Sequence, residues 1–197
     1  MMWFKKKKKL RYHIICEGID SSGKSSFVNY LNSITTNDTI VHHFGTPPRT
    51  LKSKQQVNYQ FGQFSLMFEL IEDIVKQEST SRFIFDRAHL GEYVYSPLFR
   101  KIDPTYLPRL EQHYEHLKNQ IFIILFTIDP KVLQKRFATR DEEMPNVVRM
   151  MDIQEDFRMM YRKSKFKGHT FTINSENERK FTLEKMIDIL NFKGIFI

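Results

Sequence analysis

The chain has 197 residues, a length that suits one domain with a single core, with room for a small insertion. Hydrophobic residues make up 41% and charged residues 27%, a globular balance that excludes the disordered and fibrous classes. The net charge of +8 favours anionic partners, and the lone Cys16 excludes an internal disulfide framework and points to a reducing cytoplasm.

At the start, Lys5–Lys9 form a like-charge block without an apolar stretch of signal-peptide length, so residues 1–10 read as a basic, solvated leader. Residues 11–17 (RYHIICE) are β-prone and end in glycine, which predicts a buried strand. After Lys24 the apolar spacing becomes helical, with Phe27, Val28, Tyr30, Leu31 and Ile34 on one face. A second strand is expected over 39–44, closed by Gly45-Thr46-Pro47-Pro48. A long helix follows over 53–76, then a third strand over 82–85 that ends at Asp86.

Helical segments are expected over about 88–97 and 104–119, and Ile121–Ile128 is the most apolar strand candidate. Its apolar run, 121–126, falls far short of the roughly 18 residues a membrane helix needs. Asp129-Pro130 opens another helix, with Pro at a tolerated first-turn position. Arg140–Arg149 is polar, contains Pro145 and reads as a mobile excursion between helices, a lid over about 139–150. A strand at 170–173 and a helix at about 178–192 complete the chain. Strands alternating with helices predict an α/β fold with a parallel sheet covered on both faces.

Gly18-Ile19-Asp20-Ser21-Ser22-Gly23-Lys24-Ser25 matches G-x-x-x-x-G-K-[ST] in full, between the expected strand and helix. Glycines let such a backbone wrap phosphates with its N–H groups, and the helix start aims its positive dipole end at them. Gly18, Ser21, Ser22, Gly23, Lys24, Ser25 and Ser26 are therefore the candidate ATP-binding residues, with Lys24 at the β/γ bridge and the Ser25 hydroxyl on Mg²⁺. Asp86-Arg87 sits where ligands collect in open α/β sheets. Asp86 can hold Mg²⁺ or take a proton there, and Arg87 can clamp a phosphate. Arg136, Arg140 and Arg149 flank the excursion and are candidates for offsetting charge on a transferring phosphoryl group.

On these residues the chain resembles the thymidylate kinase family of P-loop nucleoside monophosphate kinases, over nearly its whole length. The stretch from Ile15 to Ser26 is similar to that family's first strand and loop, Asp86-Arg87 to its DR motif, and Asp129-Pro130 with Arg136 and Arg140 to its approach to the lid. The resemblance implies a P-loop NTPase fold with a five-stranded parallel sheet, helices on both faces and a short lid. It also implies ATP and Mg²⁺, a small nucleotide acceptor, most naturally dTMP, and a homodimer packed through the long helix.

By the same resemblance Asp20 lies near the acceptor sugar, while Arg87 and Arg49 lie at its phosphate. Ser21 stands where some members carry a loop arginine, so Arg136, Arg140 and Arg149 must supply that charge from the lid. The acceptor side departs from the family. His89, Gly91 and Glu92 replace a Tyr/Ser/Gln-rich segment, and Glu72 stands where a thymine-reading Arg is expected. Phe64 and Phe68 either stack on a base or belong to the core.

Three further readings stay open. A deoxynucleoside kinase would use Glu17 as the base for a 5′-hydroxyl. A kinase acting on a hydroxyl of a base within DNA would bind with steep salt dependence. A non-catalytic nucleotide-binding module would have little need of the lid arginines. Cytoplasmic residence is the expectation in each case, in the host's cytoplasm if the chain is viral.

Overall fold

A computed structural model describes residues 12–35, 38–139, 146–174 and 179–192. Five strands form one parallel sheet: β1 (His13–Gly18), β2 (Thr39–His43), β3 (Arg82–Asp86), β4 (Ile121–Ile128) and β5 (Lys167–Ile173). Every residue of β1, β3 and β4 is buried. Successive side chains of a strand point to opposite faces, so both faces of these three strands are covered.

The order across the sheet is β2-β3-β1-β4-β5. The path out of β1 runs through α1 (Lys24–Ile34) to β2, on one side. The path out of β3 crosses to β4, on the other. The crevice at the carboxyl end of β1 is the place such a reversal opens for ligands, and Gly18 to Ser25 lie there.

Helix α2 (Ser53–Lys76) buries Gln60, Phe64, Met67, Phe68 and Ile71, one stripe at helical spacing. Helix α3 (His89–Tyr95) runs into a π-helical turn, Ser96–Arg100, that carries Pro97. Proline has no N–H for the helical ladder, which suits a widened turn there. Helix α4 (Tyr106–His113) and a 3₁₀ turn (Glu115–Leu117) lead into β4. Helix α5 (Pro130–Ala138) is capped by the Asp129 side chain, which accepts the Lys131 N–H at 2.8 Å.

Helix α6 (Val147–Lys163) begins inside the stretch expected to be an excursion. Asn146 is its cap, accepting the Arg149 N–H through Oδ1 at 3.1 Å, so Arg149 stands in a first helical turn rather than in a loop. Gln154 of α6 bonds both the N–H and the carbonyl of Ile128, which docks this helix at the end of β4. Helix α7 (Arg179–Phe192) ends the described chain.

Candidate active site

The loop between β1 and α1 has three residues with positive φ: Gly18 at 136°, Ser21 at 62° and Gly23 at 96°. A Cβ on Gly18 would lie 2.2 Å from the carbonyl oxygen of Phe126, so β4 passes too close for any side chain there. Lys24 folds back under the loop and donates from Nζ to the carbonyls of Gly18 (2.8 Å) and Ile19 (2.6 Å). Burial pushes its ammonium down to about 8; nearby Arg87 adds to this, while Asp20, Asp86 and Glu17 oppose it.

Ser25 Oγ donates to Asp86 Oδ2 at 2.7 Å, and His43 Nδ1 lies 3.3 Å from the same oxygen. Asp86 Oδ1 is buried with no hydrogen-bond partner among the described residues. A hydroxyl and a carboxylate with an unused oxygen are the hard donors Mg²⁺ takes, and no cluster of three or more His, Cys, Asp or Glu gathers among the described residues. The residues thus fit a Mg²⁺ held by one carboxylate, one hydroxyl and nucleotide phosphates.

Beside the loop a cavity of about 420 Å³ is lined by Glu17, Asp20, Phe64, Arg87 and Glu92, among others. Glu17 is buried; its Oε1 accepts the N–H groups of Ala88 and Leu90, each at 3.0 Å, at the start of α3. Burial pushes the Glu17 carboxyl up, against the pull of His89, Lys24 and the backbone N–H groups of Gly91 and Leu90. Arg87, held at φ 71° just past β3, pairs with Asp20 across the mouth of the cavity. Glu92 is buried and pairs with Arg100, and the Tyr106 hydroxyl donates to its other oxygen at 3.4 Å.

Several expected site residues lie elsewhere. Phe68 is core: its ring stacks on Tyr114 and Phe166, at 5.0 and 5.4 Å between centroids, and it does not line the cavity. His89 is fully buried and bonds Glu111 at 2.7 Å, so it ties α3 to α4 rather than facing an acceptor. Arg49 is exposed and outside the cavity lining. Glu72, at the position where a thymine-reading Arg is expected, is half-buried, pairs with Lys76 and His116, and is outside the cavity lining.

The lid arginines separate. Arg136 Nη1 donates to the Ser21 carbonyl at 2.6 Å, placing a guanidinium on the phosphate loop. Arg149 lies over the Phe99 ring, 5.3 Å from its centroid. Arg140, with the rest of 140–145 in the middle of the lid, and the Lys5–Lys9 run lie outside the described residues. Sequence reasoning missed His43, Gln60, Tyr95 and Arg100, all lining the cavity. Only Gln60 left a trace, as a polar residue on the buried stripe of α2.

A G-x-x-x-x-G-K-S loop at the carboxyl end of a central parallel strand, with an acidic strand end beside it, defines a nucleotide-binding protein of the P-loop class. The thymidylate kinase profile matches residues 16–187, and the chain belongs to the thymidylate kinase family of nucleotide kinases. The fold is similar to that of the YorR protein from Bacillus subtilis, solved in complex with phosphorylated GDP, at 18% identity. The TM-score is 0.63 over 91% of this chain and 96% of that one. It is likewise similar to thymidylate kinase from Ehrlichia chaffeensis, at 18% identity and a TM-score of 0.58 over 91% of this chain and 98% of that one. Comparison with curated proteins finds no match.

Proposed function

We propose that this nucleotide kinase transfers the terminal phosphoryl group of ATP to a nucleoside monophosphate, with dTMP as the acceptor to test first. The observation that carries the reading is the shared lip between phosphate loop and cavity. Glu17, Gly18 and Asp20 belong to the β1–loop segment and line the acceptor cavity, so donor and acceptor phosphates would meet over Lys24. Lys24 would bind the β/γ bridge, leaving its loop carbonyls for phosphate oxygens. Arg87 would hold the acceptor phosphate against Asp20, and Asp20 would face the sugar.

Arg136 supplies guanidinium charge at Ser21, the position where some family members carry a loop arginine, so the loop's missing charge would come from α5. Ser25 and Asp86 would hold Mg²⁺, which would supply positive charge against the nucleotide phosphates. A phosphate oxygen is already an anionic nucleophile, so no strong base is required. A coupled assay of ADP release against nucleosides, monophosphates and oligonucleotides tests the reading. Release that depends on a monophosphate is expected; no acceptor-dependent release from any of them would overturn it.

One observation favours a second acceptor class. Glu17 leaves Oε2 without a hydrogen-bond partner among the described residues, on a carboxyl that lines the cavity and whose affinity for protons is raised. Such a group is suited to take the proton of a nucleoside 5′-hydroxyl. Glu17→Gln separates the two: it abolishes turnover of a nucleoside but only weakens turnover of a monophosphate.

The proposal extends to a homodimer. Tyr59, Leu66 and Leu70 of α2 are large, exposed and spaced by seven and four residues, which puts them on one side of the helix.

A further inference from the structure

Two buried titratable groups take no part in the proposed phosphoryl transfer: His89, the first residue of α3, and Glu111 in α4. Their hydrogen bonds fix where one proton sits. Glu111 Oε1 meets His89 Nε2 and accepts the Ser164 hydroxyl, and Oε2 accepts the Lys165 N–H. Burial opposes the charge on Glu111, but these bonds outweigh it and hold the carboxyl below its ordinary value. An ionised Glu111 only accepts, so His89 Nε2 is the donor and carries a proton. His89 Nδ1 is the ring atom left over, buried and without a hydrogen-bond partner among the described residues.

The rings of Phe68, Phe166 and Phe64 stand around this imidazole, at 5.5, 6.0 and 6.5 Å between centroids. In so apolar a setting a charge on the imidazole acts over a longer distance than it would in water. Glu17 is the carboxyl within that reach. Its Oε1 accepts the N–H groups of Ala88 and Leu90, the two chain neighbours of His89. Burial opposes the Glu17 charge, and the strongest pull the other way comes from His89, ahead of the Gly91 N–H and Lys24. Tyr93, near Glu111, is kept a neutral phenol by burial and by that carboxylate. The ionisable surroundings of His89 are thus a carboxylate bonded to it on one side and, on the other, a carboxyl that lines the acceptor cavity with Oε2 unpaired among the described residues. A buried carboxylate is stable only beside a compensating charge.

We propose that His89, held as an imidazolium by Glu111, is the buried counter-ion that keeps Glu17 ionised and fit to take the proton of a hydroxyl acceptor. The inference rests on the second acceptor class above. In that step the acceptor oxygen bonds the γ-phosphorus, the bond from phosphorus to the ADP oxygen breaks, and the hydroxyl proton goes to Glu17 Oε2. It leaves to water after product release. His89 keeps both ring protons throughout, so His89 and Glu111 are positioning residues that act through Glu17.

The test screens thymidine, deoxycytidine, deoxyadenosine and deoxyguanosine, and follows kcat/KM of the best one against pH at saturating ATP. It compares the unmodified enzyme with His89→Gln and Glu111→Gln, and thermal melting checks the fold of each variant. Glutamine keeps a hydrogen-bonding side chain at either position and removes the charge. Without the counter-ion Glu17 ionises less readily, so the acid limb should move to higher pH, by at least about one unit in His89→Gln and in the same direction in Glu111→Gln. Above the moved limb each variant should recover to within about threefold of the unmodified enzyme at the same pH, a rescue that lost packing does not give.

An acid limb that stays in place in either folded variant, or a loss of activity equal at every pH, overturns the proposal. Absence of turnover with every nucleoside sinks the hydroxyl-acceptor reading instead. Nitrogen-15 NMR of His89 in the unmodified protein then decides the counter-ion, and does the same where a variant does not fold. Protons on both ring nitrogens at pH 7 support it, and a neutral ring with Nε2 alone protonated overturns it.

Discussion

Gly18 carries a heavier constraint than its place in a motif implies. Alanine there must hold a φ near 136° and put a methyl 2.2 Å from the Phe126 carbonyl, so β1 and β4 would have to part. Gly18→Ala should lower the unfolding free energy by about 3 kcal/mol, measured by urea titration, from overpacking combined with backbone strain. Lys24 yields a second expectation. Its ammonium is pushed down to about 8, so above that pH the free protein loses the charge that a triphosphate requires. Binding then takes up a proton, and ATP affinity, followed by calorimetry, should fall by roughly tenfold per pH unit above 8 and stay flat below it. The loop was legible because its residues are contiguous and their spacing has a physical cause. His43 and Arg100 were not, because each reaches the cavity only when distant segments pack.

Among the elements, α3, α4 and the turn between α6 and β5 are joined at one buried carboxylate. Glu111 Oε1 meets His89 and the Ser164 hydroxyl, and Oε2 accepts the Lys165 N–H. Burial opposes ionisation of Glu111, but these bonds outweigh it and hold the carboxyl below its ordinary value. Glu111→Ala should cost about 3 kcal/mol of stability, read by thermal or urea melting, because it strands a buried His89 and two further donors. No periodic pattern announces such a junction. By contrast α2 and β4 fall at the bounds their apolar spacing predicts, since each buries a stripe or a run that context does not alter. The start of α6 was obscured because Pro145 and Asn146 read as loop chemistry, although Asn146 is the cap that begins the helix.

At the scale of the whole molecule, acid stability should turn on His13. This residue is buried in β1, and its Nδ1 accepts the Phe83 N–H at 3.1 Å. Burial pushes its pKa down to about 4 from an ordinary 6.5, with Arg82 adding to the effect. Above 6.5 neither state binds this proton, and between 6.5 and 4 only the unfolded chain does, so stability is lost as pH falls through that window. The loss amounts to about 3 kcal/mol, and His13→Asn should flatten this part of the stability profile measured by urea unfolding at each pH. Quaternary structure is tested by sedimentation: Leu66→Glu with Leu70→Glu should give a monomer from a dimeric parent. The parallel α/β class was legible from alternating strands and helices. Strand order was not, because it depends on partners that no local window contains.

That order also sets when the site can exist. The central strand is made first, yet Ile14 pairs with Ile84 on one side and with Phe122 on the other. Such distant pairings make folding slow, since long loops must close before any contact rewards them. A nascent chain that has emerged only as far as Asp86 has no β4 at all, and so lacks the backbone that Gly18 is shaped to meet. The phosphate loop is thus synthesised well before β4, the strand that completes it. Nucleotide added during refolding should leave the early phases unchanged and act only on the final one, which stopped-flow fluorescence can separate.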